Sequence, residues 1–67
     1  MKWTYNLKVM RVDEDGDELK QVGPTYTFDD HCYMMARVDM LKTVLEEFGL
    51  ETCVVFKMEA LMDFDDE

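Results

Sequence analysis

The sequence predicts an α+β domain in the order β-β-α-β, a three-stranded antiparallel sheet of strand order 2-1-3 with one helix packed on one face. Three observations carry this. The stretch "WTYNLKVMRV" alternates apolar and polar residues with a period of two, the mark of a strand half buried against a core. Asp15-Gly16 is a two-residue turn signal, because a type I′ hairpin needs positive φ at both central positions. Met34, Val38, Leu41, Leu45 and Phe48 then recur at helical spacing, with Val44 beside the stripe.

In the first strand Trp3, Tyr5, Leu7 and Val9 share the core face, and Thr4, Asn6 and Lys8 the other. Centring the hairpin on Asp15-Gly16 pairs Val12 with Leu19, Met10 with Gln21 and Val9 with Val22. Continued unbroken, that register sets Tyr5 opposite Tyr26 and Trp3 opposite Phe28, so the apolar sets of both strands fall on one face. Gly23-Pro24 interrupts the second strand with a bulge or kink, since proline cannot donate to a ladder. The helix is expected over residues 31–48, capped by Asp29 or Thr27, with Asp30 adding negative charge near its first amides. Gly49 at C′ and Leu50 beyond it fit a Schellman ending. A third strand, "TCVVFKM", follows, with Val54, Phe56 and Met58 inward. Right-handed return places it beside strand 1. The expected domain is residues 1–62, with 63–67 an acidic tail.

The helix leaves the other sheet face open. Met10, Val12, Leu19, Cys53 and Val55 point there, and uncovered apolar surface marks an interface. A homodimer through this face or through the edge of strand 3 is expected, unless "ALMDF" folds back to cover the face.

Sixty-seven residues hold 48% hydrophobic residues, so the chain folds, near the lower size limit for a core without staples. Sixteen acidic against seven basic residues give a formal charge of −9. That disfavours free nucleic acid and anionic lipid and favours a basic protein partner. The first residues show no signal-peptide pattern and no stretch approaches the ~20 apolar residues of a membrane helix. Cys32 and Cys53 flank the helix, roughly 25 Å apart along its axis, too far for a disulfide within one chain. Reduced thiols in a cytoplasmic protein are expected.

"DEDGDE" (13–18) crowds five carboxylates around one glycine. As an EF-hand loop it fails on spacing: with Gly16 at the glycine position, the first ligand is Arg11 and the closing glutamate is Val22. A solvated hairpin tip is the better reading. His31 and Cys32 are adjacent, so on a helix their side chains diverge. A helix N-terminus activates a thiol, but Asp29 and Asp30 oppose a thiolate. Glu46-Glu47 and Asp65-Asp66 have no sheltered pocket for acid-base work, and the seven methionines fit packing or a pliable surface. No enzyme, metal site or cofactor is expected.

What remains is charge. Carboxylates spaced on a small rigid body imitate nucleic-acid phosphates and fit a basic groove. The expected function is a non-catalytic acidic protein-binding domain, an inhibitor of this kind acting on a DNA- or RNA-handling protein. Its contact residues are Asp13, Glu14, Asp15, Asp17 and Glu18, with Glu46, Glu47, Asp63, Asp65, Asp66 and Glu67 as a second patch. The alternative is a structural or assembly subunit joined through the apolar sheet face; a thiol-dependent enzyme at Cys32 and His31 is a weaker one.

Overall fold

The computed structural model describes residues 2–13, 15 and 19–63. Its elements are β1 (Lys2–Val12), β2 (Leu19–Gln21), β3 (Tyr26–Phe28), α1 (His31–Glu47) and β4 (Val54–Asp63). The sheet is antiparallel throughout. β4 pairs with β1 from Lys2↔Asp63 to Arg11↔Val54. That occupies one edge of β1 over nearly its whole length, so β2 and β3 share the other edge. The expected second strand is thus two segments in one row, the expected third strand is β4, and the helix packs on the face carrying Leu7.

Between β2 and β3 the register shifts. Val12↔Leu19 and Met10↔Gln21 pair as expected, and the Val22 N–H donates to the Val9 carbonyl at 2.8 Å. Beyond this, Leu7 lies opposite Tyr26 and Tyr5 opposite Phe28, rather than Tyr5 opposite Tyr26 and Trp3 opposite Phe28. The chain advances four residues from Val22 to Tyr26 while β1 advances two, and Gly23 takes φ 80° within the excess. The Gln21 side-chain amide closes the bulge by donating to the Gly23 carbonyl and the Thr25 hydroxyl. Because the slip is two residues and strand side chains alternate with period two, both aromatic rings stay on the core face.

The core is small. Among the described residues Leu7, Met34 and Val38 are the buried hydrophobic ones, with Tyr5, Tyr26, Phe28, Met35, Leu41 and Phe56 packed around them. The Arg37 guanidinium lies 5.5 Å from the Tyr26 ring centroid, and Trp3 stacks on Tyr5 with centroids 6.5 Å apart. The far end of the helical stripe departs from expectation: Phe48 is 72% exposed and Val44 43%. Cross-strand parity explains it. On the helix-facing side of the sheet, the pair beyond Val9 is Arg11↔Lys20, both exposed, so β1 and β2 offer no apolar side chain there, and Val54, opposite Arg11 in β4, lines a groove with Leu45 instead.

The helix ends follow backbone chemistry. Asp30 is the N-cap, in place of the expected Asp29 or Thr27: it is extended, and its Oδ1 accepts from the Cys32 N–H at 2.8 Å. Thr27 instead lies inside β3, its hydroxyl on the Asn6 side-chain oxygen. At the other end Gly49 takes φ 69°, its N–H donates to Glu46 and the Leu50 N–H to Leu45, the two bonds of a Schellman motif. Asp30→Ala is expected to cost about 1 kcal/mol, lowering the melting temperature by about 4–8 °C, whereas Asp29→Ala leaves it within a degree or two. Thermal unfolding followed by circular dichroism checks the contrast.

Candidate interaction surface

α1 lies over β1 and β3 rather than centrally over the sheet. Between the helix and β4 this leaves an open groove of about 480 Å³, floored by Val54, Phe56 and Met58, walled by Met35, Val38 and Leu45, and rimmed by Lys42, Glu46 and Glu51. A hollow of about 240 Å³ lies between the N-terminal part of the helix and Met58, Glu59 and Ala60. There His31 meets the Tyr5 ring edge-on, with centroids 5.5 Å apart.

Beside the groove runs the free edge of β4. The Val12 N–H donates to the Cys53 carbonyl at 2.9 Å, which sets the alternation of the antiparallel ladder. In the register given above, Val55, Lys57, Glu59, Leu61 and Asp63 direct their peptide groups at β1. Val54, Phe56, Met58, Ala60 and Met62 direct theirs outward, and their side chains lie on the helix-facing side of the sheet, in register with Arg11, Val9, Leu7, Tyr5 and Trp3. This edge runs for ten residues without proline. Edges are ordinarily blunted by prolines, bulges, short length or charged side chains; this one has no proline and is long, and of these devices it carries charge alone, at Lys57, Glu59 and Asp63.

The alternative cover, "ALMDF" folded back over the face opposite the helix, is not formed by its described residues, and Phe64 lies outside them. Ala60, Leu61, Met62 and Asp63 belong to β4, hydrogen-bonded in the sheet, so "ALMD" extends the strand instead of folding back. On that open face the register gathers Met10, Val12, Cys53 and Val55 at the end of β1 nearer Val12, where the Leu19 backbone pairs with Val12. The middle is polar, with Asn6 opposite both Glu59 and Thr27, and Lys8 opposite Lys57.

Every described carboxylate is exposed: Asp13, Asp15, Asp29, Asp30, Asp39, Glu46, Glu47, Glu51, Glu59 and Asp63. Glu14, Asp17, Glu18, Asp65, Asp66 and Glu67 lie outside the described residues. Asp13 follows β1 and Asp63 pairs with Lys2 at its start, so these two stand at opposite ends of the sheet. Glu46, in the last turn of α1, lines the groove together with Val54, which pairs with Arg11, so it lies toward the Asp13 end and not in one patch with Asp63 as expected. Among the described residues no polar or charged side chain is buried, and no three metal-ligating side chains cluster. Cys32 and Cys53 are free and exposed, one in the first turn of the helix and the other after its end. No described helix is long and apolar enough to cross a membrane.

No protein-family model matches the chain, and no match was found among curated proteins or solved structures.

The edge of the third strand is an expected contact, but it runs five residues beyond the expected end at Met58, and the groove beside it is not visible in the sequence pattern. The signal for the longer strand was present: Met58, Ala60 and Met62 continue the inward alternation of Val54 and Phe56.

Proposed function

We propose that this chain is a non-catalytic protein-binding domain that displays carboxylates to a basic partner. The observation that supports it is the exposure of every described carboxylate in a chain of charge −9. Carboxylates held in water are free to pair with an incoming cationic surface, and they steer its approach. The eleven residues of β1 separate Asp13 from Asp63. At about 3.3 Å per residue that is roughly 36 Å, close to one turn of duplex DNA. This spacing favours phosphate mimicry toward a DNA- or RNA-handling protein. The free thiols suit a cytoplasmic setting.

Affinity capture from the native cell tests this. The wild-type chain should retain a nucleic-acid-binding protein at low salt and release it at high salt. The variant D13K/D15K/E46K/E47K should lose capture by on the order of tenfold or more through weaker steering and lost close charge pairs. Retention that survives both high salt and this variant would remove the reading.

A second reading, an assembly subunit, is favoured by a separate observation: the ten-residue outer edge of β4, unpaired among the described residues, beside an apolar groove. It moves the expected contact from the open sheet face to the strand edge. The two readings use different surfaces and are compatible.

A further inference from the structure

We propose that two copies of this chain pair antiparallel along β4, about a two-fold axis through Met58, to form one continuous sheet. The inference rests on the assembly reading and names its partner, its register and the residues that select it.

The first argument is surface. The chain exposes 5344 Å² at 8.0 kDa, about 900 Å² more than the ~4,450 Å² expected for a folded monomer of this mass. Its radius of gyration is 14.1 Å, against about 11 Å for a compact domain of this length. A stable interface takes about 800 Å² from each partner. The surplus is of that size, and Phe56, Met58 and their neighbours on the groove floor border the edge concerned.

The second argument is self-complementarity. A two-fold pairing of free edges must match outward-directed peptide groups with one another, so Val54, Phe56, Met58, Ala60 and Met62 pair among themselves. With the axis at Met58 all five are used: Met58 meets its own copy, Phe56 meets Ala60 and Val54 meets Met62. The aromatic Phe56 thus faces the small Ala60, and the other two pairs are apolar throughout. On the opposite face the same register sets Lys57 beside Glu59 of the second copy, and Val55 beside Leu61. Shifting the axis to position 57 puts Lys57 on Lys57; shifting it to 59 puts Glu59 on Glu59. Axes at 56 or 60 leave part of the edge unpaired and oppose Lys57 to Val55, or Glu59 to Leu61. Like charges directly opposed across strands are destabilising, and opposite charges stabilising. Only the Met58 register satisfies charge, apolar pairing and the full edge together.

The third argument is Lys57 itself. Within one chain it stands directly opposite Lys8. The second copy's Glu59 supplies the missing carboxylate on its other side. Since the axis is normal to the sheet, both helices lie on the same face, and the two α1–β4 grooves open toward one another across a floor of Phe56 and Met58 from each chain.

Sedimentation equilibrium of the full chain across a concentration series tests the proposal, with circular dichroism confirming the fold of each variant. Wild type should be dimeric in the micromolar range. Lys57→Glu or Glu59→Lys should each raise the dissociation constant on the order of tenfold, because two symmetric cross-strand pairs turn from attractive to repulsive. Lys57→Glu places a carboxylate opposite Lys8 in its own chain, so its fold should be at least as stable as wild type. The double variant K57E/E59K should recover dimerisation, and mixing the two single variants should give a heterodimer tighter than either homodimer. A wild-type monomer at high micromolar concentration overturns the proposal, as does a dimer indifferent to Lys57→Glu or one that the double variant does not restore. None of these results bears on carboxylate display, which is read separately by salt-sensitive capture.

Discussion

Leu7→Ala is expected to remove most of the stability of this domain. Leu7 is wholly buried, and among the described residues Met34 and Val38 are the other buried hydrophobic ones, 3% and 1% exposed. Three side chains at one contact make a core with little redundancy. Truncating a buried leucine costs about 2–5 kcal/mol, through lost transfer energy and the cavity left behind. A chain of this length has a total stability of roughly 3–10 kcal/mol. Urea denaturation should therefore show a midpoint reduced by half or more, with a substantial unfolded fraction before urea is added. Leu7→Met keeps volume and apolarity and should cost less than about 1.5 kcal/mol. Val44→Ala, at a side chain 43% exposed, should fall near the ±0.5 kcal/mol of ordinary surface changes. A Leu7→Ala midpoint as mild as that of Val44→Ala would mean that the core is not centred on Leu7.

Most of the fold was legible because three signals agreed without needing tertiary information. Alternation in residues 3–9 marked the buried face of β1, Gly49 marked the end of α1, and the hairpin register at Val12↔Leu19 followed from the turn. The errors arose where local chemistry offered near-equivalent choices. Thr27, Asp29 and Asp30 can all cap a helix, and the pairing of Thr27 with Asn6 in the sheet is a tertiary fact that removes it from contention. A bulge at Gly23-Pro24 was foreseeable, but its length was not, because adding two residues preserves every face and leaves no trace in the hydrophobic pattern. Phe48 has the right spacing for the helical stripe; its exposure depends on Arg11 and Lys20 lying opposite each other, which no helix-centred pattern contains. The candidate surface was half visible. Charge could be counted from the sequence, but the groove depends on where α1 sits over the sheet, and that offset is decided by packing on Leu7.

Two adjacent proline substitutions in β4 are expected to give opposite results, and the contrast follows from ladder parity alone. The Lys57 peptide group faces β1, opposite Lys8, whereas the Met58 peptide group faces the free edge. Proline removes a donor and places its ring where the N–H pointed. Lys57→Pro therefore breaks a β1–β4 hydrogen bond and drives the ring against β1. It should destabilise the fold by several kcal/mol, on the scale of ~3 kcal/mol or more for proline in a hydrogen-bonded interior. Met58→Pro removes a donor that has no partner strand among the described residues, and edge strands accept proline on their outer side. Its urea midpoint should stay close to wild type. At the proposed two-fold axis, however, Met58 meets its own copy, so this one change removes both central hydrogen bonds and sets two rings against each other. Dimerisation should be lost throughout the micromolar range while the circular dichroism spectrum is retained. Equal destabilisation by both prolines would contradict the ladder parity. A folded Met58→Pro chain that still dimerises would place the contact elsewhere than along β4.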